Sequence, residues 1–559
     1  MRPALFGLSA LLLCSPSVLA QTPRATPAAC EALQQLQLDG IALTVTKTEW
    51  FAAGAPLPRG RVGGAPPAAA NLSAYCRVDG VIDRRVGVPG GTTYGIGFAL
   101  ALPEAWSGRF LMQGGGGLNG SVQNPLGTSA AGDRSALARG FAVVSTDTGH
   151  TGAGAFDGTF QQDQQASLDF AYAAIGRVAD LSKRIIARQY GKAPDKSYFA
   201  GCSTGGREAM LMAQRYPLLF DGVIAGAPAM RTSYSGIGDR WVAVTLNEVA
   251  PKNAQGQPIT RDALTEAQKQ AVIDGIVSAC DANDGLADRM IFNVNACRFD
   301  PKTLVCAGAG NDRCLSPQQG AALEKAFAGP KDSKGRQVYP GFAWDAGLAS
   351  TQGIPGLLHG GQVIGGAAGS VGMDVDAAVE RVRADPGEPV STTARWTNLN
   401  TFSGRGGKLL FWHGVSDPWF SALDTVDYYN RMTQANGGGD RVREWSRLFL
   451  VPGAGHCGGG PSLDKFDALD AMVRWVEQGR RARETHRHRR RVPGTQPSAL
   501  SVSAARALQG SGQSGGREQL RVPAVTAFSS HPRMFFGTSS TSASGIRRAA
   551  AASRRVRLR

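Results

Sequence analysis

The chain has 559 residues, 42% of them hydrophobic, with 73 glycines and a formal net charge of +16. That length exceeds one ordinary core, so one large domain with an insertion, or two domains, is expected. Residues 480–559 hold 17 Arg, no Lys, no Asp and two Glu, a net of +15, so the body is nearly neutral and its charge gives it no nucleic-acid-binding character.

The opening stretch, MRPALFGLSALLLCSPSVLAQ, has a basic residue at Arg2, an apolar run and a small-residue exit ending at Ala20. It reads as a signal peptide, 1–20, and predicts a secreted or periplasmic protein. A lipid anchor at Cys14 fits less well, because Leu13 stands where a small residue is needed. Beyond this start no apolar run reaches the roughly 18 residues a membrane span requires.

Residues 21–100 read as an N-terminal segment with loops rich in Pro and Gly. From residue 108 onward, strands alternate with helices. Apolar runs at 110–112, 141–145, 198–200, 223–225, 408–414 and 447–453 are β-prone, while 165–191 and 464–479 have helical periodicity. This alternation predicts an α/β fold with a mostly parallel sheet and helices on both faces, built from 21–229 and 396–480. Between 230 and 395 the alternation dissolves into a glycine-rich stretch with an acidic loop and four cysteines, the signature of an inserted, disulfide-pinned lid. Residues 481–559 lack a hydrophobic period. They read as out-of-frame translation of a high-GC segment rather than as a basic nucleic-acid arm, so no nucleic-acid partner is expected.

Within SYFAGCSTGGR (197–207), Gly201-Cys-Ser203-Thr-Gly205 follows a β-prone run and precedes a helical one, the context of a nucleophile elbow. Asp417 lies just past the run 408–414, and His456 lies in a glycine-rich loop after 447–453. The order Ser203…Asp417…His456 is that of α/β-hydrolases, with Ser203 as nucleophile, His456 as base and Asp417 as its orienting acid. Backbone N–H groups of Thr204 and of Gly116, within Gly114–Gly117, are the candidate oxyanion donors. Trp412, Trp419 and Phe420 are candidates for an aromatic wall.

Setting Cys14 aside, eight cysteines remain, an even number that suits disulfides in an exported chain. Spacing favours the local pairs Cys280–Cys297 and Cys306–Cys314 and leaves the others open. A bridge from Cys202, beside the serine, to Cys457, beside the histidine, would contribute on the order of 5 kcal/mol by loop closure. It would also remove Cys202 as a rival nucleophile.

The set Cys202-Ser203, Asp417 and His456-Cys457 closely resembles the tannase and feruloyl esterase family, over about residues 25–480. The resemblance implies a secreted α/β-hydrolase with a large lid, a Cys202–Cys457 bridge beside the triad, and hydrolysis of esters of aromatic acids. It gives counterparts to the two local pairs, implies Cys30–Cys76 as the remaining bridge, and makes His413 a substrate-binding position. It also implies a structural Ca²⁺ in the lid, at CDANDGLADRMIF (280–292). Its ligands would be the side chains of Asp281, Asp284 and Asp288 and the carbonyls of Leu286 and Met290. Bottom-up, those carboxylates are hard oxygen donors, but their spacing is not that of an EF-hand. No organic cofactor is implied. Arg289 stands where a glycine is usual, and the stretch after the last helix lacks the family's further cysteines.

Three alternatives accompany this reading. A terephthalate half-ester hydrolase would need a lid cation, with Arg336, Arg381, Arg383 and Arg395 as candidates. A catalytically silent secreted binding protein would keep the pocket without turnover, and a nucleic-acid binder would act through the tail. Oligomeric state is not encoded in any of these features.

Overall fold

The computed structural model describes residues 24–55, 72–87, 90–308, 312–348, 369–480 and 487–488. The expected leader, 1–20, lies outside the described residues. So does the basic tail, except for Arg487–His488.

A nine-stranded sheet organises the chain. In sequence order its strands are β1 (Leu43–Phe51), β2 (Tyr75–Val86), β3 (Thr93–Pro103), β4 (Arg109–Gln113), β5 (Ala142–Thr146), β6 (Lys196–Cys202), β7 (Gly222–Gly226), β8 (Lys408–Gly414) and β9 (Ser446–Val451). Their spatial order is β1-β2-β3-β5-β4-β6-β7-β8-β9. From β5 to β9 all pairings are parallel, whereas β1, β2 and β3 add an antiparallel ribbon that joins through β3 and β5.

The ribbon is built mostly from residues 21–100, the segment whose loops are rich in Pro and Gly, and adds strands there that the sequence reading did not name. In β2 the residues Cys76, Val78, Gly80 and Ile82 are buried while their neighbours Arg77, Asp79, Val81 and Asp83 are partly exposed, the alternation of a one-sided strand. The Cys30–Cys76 disulfide ties the short helix Pro27–Ala32 to this strand.

Strands β4 to β8 are buried along most of their length, which is why they read as apolar runs, whereas the edge strand β9 is only half-buried. Along β4, Phe110 and Met112 enter one apolar cluster with Val144, Phe199 and Phe411. Leu111, between them, enters the opposite cluster with Val143, Tyr198, Ile224 and Trp475. The first face is covered by Ala174–Tyr190 and by the elbow helix Thr204–Gln214, the second by Ala468–Gln478.

The expected helix 165–191 is interrupted. Gln164–Leu168, capped by Asp163, passes through a π turn, Asp169–Ala173, before Ala174–Tyr190 continues and stops at Gly191 in the left-handed region. The last helix starts at Ala468 rather than 464, because Lys465–Phe466 pairs as a short strand (β10) with Arg487–His488 (β11).

Strands β7 and β8 are neighbours in the sheet but are separated by residues 227–407 in sequence. The described part of that insertion contains the helices Thr232–Asn247, Glu266–Cys280, Pro317–Ala328 and Val375–Ala384. It has its own apolar cluster, including Leu246, Ile276, Leu323 and Phe327. Cys280–Cys297 and Cys306–Cys314 are both formed within it.

Candidate active site

The C-terminal ends of the parallel strands deliver three loops to one place, as open α/β sheets do. At the end of β6, Ser203 turns the chain into the elbow helix with φ 64° and ψ −124°. A non-glycine residue there stores backbone strain of roughly 1–3 kcal/mol. It is held by the Ser203 amide donating to Gly226 O at 3.0 Å and by the Ala229 amide donating to Ser203 O at 3.1 Å. Tight packing follows, since a Cβ on Gly205 would sit 2.7 Å from Gly115 O.

Asp417 follows β8 and is 1% exposed. Its Oδ1 accepts from the amides of Trp419 at 2.9 Å and Phe420 at 3.1 Å. Its Oδ2 lies 2.7 Å from His456 Nδ1 and 3.2 Å from His413 Nε2. Burial pushes this carboxyl up, but the His456 charge and the bonds to both histidines outweigh it and hold the group well below the ordinary carboxylate range. With its Nδ1 proton directed at Asp417, His456 presents Nε2 as the basic nitrogen. Cys457 Sγ lies 3.7 Å from that nitrogen.

Cys202 and Cys457 are bonded to each other, with Cα atoms 5.9 Å apart. Ser203 and His456 therefore each sit one residue from a shared covalent link. The strained elbow has a counterpart at the other end of the bridge, where Cys457 has φ 61°.

The glycine run packs against the elbow. The Gly114 amide donates to Ala200 O at 3.0 Å and the Gly115 amide to Glu208 Oε2 at 3.0 Å, so the fold uses both of these donors. Gly116 has open space beside its Cα. Thr204 Oγ donates to Gly117 O, and Asn119 Nδ2 donates to Glu208 Oε1 at 2.5 Å.

Glu208 and its neighbour Arg207 are buried charges that sequence reasoning missed. Burial pushes the Glu208 carboxyl up, opposed by the Arg207 charge and by the Gly115 and Asn119 donors. Arg207 donates to Phe170 O at 3.0 Å and Ala171 O at 2.8 Å, carbonyls of the π turn. A usable signal was present: two adjacent charges in REAMLMA, a stretch whose other residues are all apolar.

Trp419 stacks at 6.1 Å on His456, Phe420 meets the same ring at 5.3 Å, and Phe156 stacks on Trp419 at 5.8 Å. Phe156 is 63% exposed and was not foreseen. Its loop is fastened to the glycine run by the Leu118 amide donating to Ala155 O at 3.0 Å. Trp412 does not join this wall; it is buried against Phe466 on a sheet face.

His413 also departs from expectation. It has no exposed surface, and its nitrogens lie 2.8 Å from Thr425 Oγ and 2.9 Å from Phe420 O. The structure places it behind Asp417, supporting the acid's loop, rather than on a surface a substrate can reach. From the insertion, Asp239 also faces Asp417. Burial and then the Asp417 charge drive its carboxyl well above the ordinary range. The four candidate cations Arg336, Arg381, Arg383 and Arg395 are exposed, and Arg336, Arg383 and Arg395 pair with Asp332, Glu380 and Glu388.

In the acidic loop the carboxylates fold back onto backbone amides. Asp281 accepts from Arg289 N at 2.9 Å, Asp284 from Leu286 N at 3.0 Å and Phe292 N at 2.8 Å, and Asp288 from Met290 N at 3.1 Å. Among the described residues no group of three or more acidic, His or Cys side chains is gathered as a metal cluster. The donor chemistry nonetheless fits Ca²⁺, and Asp281 Oδ1 is buried without a hydrogen-bond donor. Arg289, at the expected glycine position, has φ 65°.

Comparison with known proteins places this geometry in a family. The family model described as tannase and feruloyl esterase matches residues 76–362 and 374–492. The chain is 37% identical over 520 residues to the mono(2-hydroxyethyl) terephthalate hydrolase of Piscinibacter sakaiensis, covering 82% of this chain and 84% of that one. Among solved structures it resembles feruloyl esterase B from Aspergillus oryzae, with a TM-score of 0.63 and 26% identity over 81% of this chain and 90% of that one. It shares its fold with a tannin acyl hydrolase from Aspergillus niger, with a TM-score of 0.61 and 22% identity over 83% and 91% of the two chains. The architecture is of the α/β-hydrolase type.

Proposed function

Because the chain belongs to the tannase and feruloyl esterase family of ester hydrolases, we propose that it is a secreted serine esterase of aromatic-acid esters, feruloyl or galloyl in type, acting through Ser203, His456 and Asp417. The observation that carries this reading is the 2.7 Å contact of His456 Nδ1 with Asp417, set beside an elbow serine by the Cys202–Cys457 bond.

In the first half-reaction Ser203 Oγ attacks the ester carbonyl carbon and its proton passes to His456 Nε2. Asp417 holds the imidazole and stabilises its charged form. The carbonyl oxygen, now negative, accepts from the amides of Gly116 and Thr204. Collapse breaks the bond to the alcohol, which leaves with the proton from His456. Water then gives a proton to His456 and attacks the acyl-enzyme, and the same proton returns to Ser203 as the acid departs. Trp419 and Phe156 offer aromatic faces beside the base for a substrate ring.

Secretion is supported by four disulfides, which persist in oxidising compartments. The acidic loop would hold a structural Ca²⁺ through Asp281, Asp284, Asp288 and the carbonyls of Leu286 and Met290; the ion would neutralise the carboxylates and take no part in ester cleavage.

The 37% identical relative favours a second reading, hydrolysis of a terephthalate half-ester. Turnover of methyl ferulate, methyl gallate, chlorogenate and mono(2-hydroxyethyl) terephthalate by the purified chain separates the two. Ser203→Ala is the control: equal rates in both proteins would defeat the esterase reading and leave a binding protein.

A further inference from the structure

Asp345 belongs to the insertion, yet its carboxylate bonds to two loops of the hydrolase core. It has no exposed surface. The residue before it, Trp344, stacks on Phe327 at 3.8 Å and meets Phe299 edge-on at 5.1 Å, which anchors this segment in the insertion's own apolar cluster. From there Asp345 Oδ2 accepts from Ser416 Oγ at 2.5 Å and from the Gly453 amide at 2.7 Å.

Those two donors flank the proposed catalytic pair. Ser416 precedes Asp417, and Gly453 begins the loop that carries His456. The loops touch directly as well, through the Ser416 amide donating to Ala454 O at 2.9 Å and the Val415 amide to Val451 O at 3.0 Å. A third observation is steric. A Cβ on Gly347 would lie 2.5 Å from Gly453 O and 2.6 Å from Ser416 Oγ, so the segment after Asp345 lies flush against both loops. Burial pushes the Asp345 carboxyl up while the Ser416 and Gly453 donors pull it back. A buried carboxylate left without those donors would be costly, so the three groups are expected to move together.

We propose that Asp345 is a positioning residue: by holding Ser416 and Gly453 on one oxygen it fixes Asp417 against His456, and so makes the folded insertion a condition of turnover. The proposal rests on the triad reading above. It gives the insertion a role in the chemistry that is separate from any contact with substrate. Loosening of the insertion would be felt at the imidazole before anything reached the serine.

The test uses the full chain with Asp345→Asn, Asp345→Ala and Ser416→Ala, assayed with wild type on methyl ferulate at one temperature, about 15 °C below the lowest melting temperature among them. A misplacement of about 1 Å costs on the order of 10²-fold in rate. Asp345→Ala is therefore expected to lower kcat about 100-fold with KM within about two-fold, and Asp345→Asn and Ser416→Ala to fall between it and wild type. The double variant Asp345→Ala/Ser416→Ala should be no slower than Asp345→Ala alone, since both remove one linkage. The acidic limb of kcat/KM should move to lower pH, because an Asp417 drawn away from His456 stabilises the imidazolium less. His413 and Asp239, the other titratable groups facing Asp417, are retained in every variant. Variants that melt earlier but keep kcat and the acidic limb within about two-fold of wild type would reduce Asp345 to a purely structural role and overturn the proposal. If Asp345→Ala does not fold, the other two variants decide by the same criteria. Wild-type turnover that survives Ser203→Ala would sink the triad reading, a result independent of anything Asp345 does.

Discussion

His456 Nδ1 lies 2.7 Å from Asp417 Oδ2, and the carboxylate that makes this contact is almost completely withdrawn from solvent. Its charge survives burial because two imidazoles and two backbone amides surround it. Asp417→Asn keeps the shape but favours the wrong imidazole tautomer, and kcat should fall by about 10⁴-fold, the scale for loss of a triad acid. Stopped-flow or steady-state hydrolysis of p-nitrophenyl acetate reads this directly.

The same group predicts a pH dependence of stability. Its native pKa is depressed, so its contribution is present above the unfolded value, about 3.9, and is lost as pH falls through the native value. The stability gap between wild type and Asp417→Asn, measured by urea unfolding from pH 7 to pH 3, should therefore narrow towards acid. A gap that widened would contradict the depressed carboxyl.

Cys202 and Cys457 close a loop with a sequence separation of 255. Replacing both by alanine should remove about 5 kcal/mol by the loop-entropy estimate and lower kcat as well, because the serine and the imidazole lose their common tether. Replacing Cys306 and Cys314, which close a loop with a separation of 8 inside the insertion, should cost stability with little change in kcat. Thermal melts paired with rates at one temperature distinguish the two effects.

Phe156 is exposed and stacks on Trp419. Phe156→Ala should leave stability within about 0.5 kcal/mol. It should raise KM for methyl ferulate several-fold, since an aromatic contact contributes about 0.5–1.5 kcal/mol. Ethyl acetate, which has no ring, should be unaffected.

The acidic loop predicts a metal effect on stability rather than on rate. Ca²⁺ at 100-fold excess over its Kd should add about 2.7 kcal/mol, read as a higher melting temperature that a chelator abolishes. Asp281→Asn should remove the response, and kcat measured on folded protein should not change.

Much of the parallel half of the sheet was legible because each strand is a short apolar run ending at a glycine or at a chemically marked residue. Residues 408–414 were readable to the residue, since the apolar run LLFW is bounded by Lys408 on one side and His413-Gly414 on the other. The antiparallel ribbon was harder to see. Its period-two pattern runs from Cys76 to Ile82, but the Pro- and Gly-rich text beside it dominates the composition. Ser203, Asp417 and His456 could be found because their spacing relative to strands is fixed by the turn geometry. Their supporters could not be found in that way. Asp345 and Glu208 matter through the loops they meet after folding, and neither lies near its partners in sequence. Side was equally hidden: Trp412 and Trp419 are seven positions apart, yet one packs on a sheet face and the other against the imidazole.

The bridge pattern bears on how the protein must be made. Three of the four disulfides join consecutive cysteines, while Cys202–Cys457 spans both insertion pairs. During synthesis Cys202 emerges long before its partner, with Cys280 the next thiol to appear. An oxidant that links sulfurs in order of emergence would join 202 to 280, 297 to 306 and 314 to 457, three non-native pairs. Yield of active protein should accordingly depend on a disulfide isomerase in the producing host, more than on the strength of the oxidant supplied.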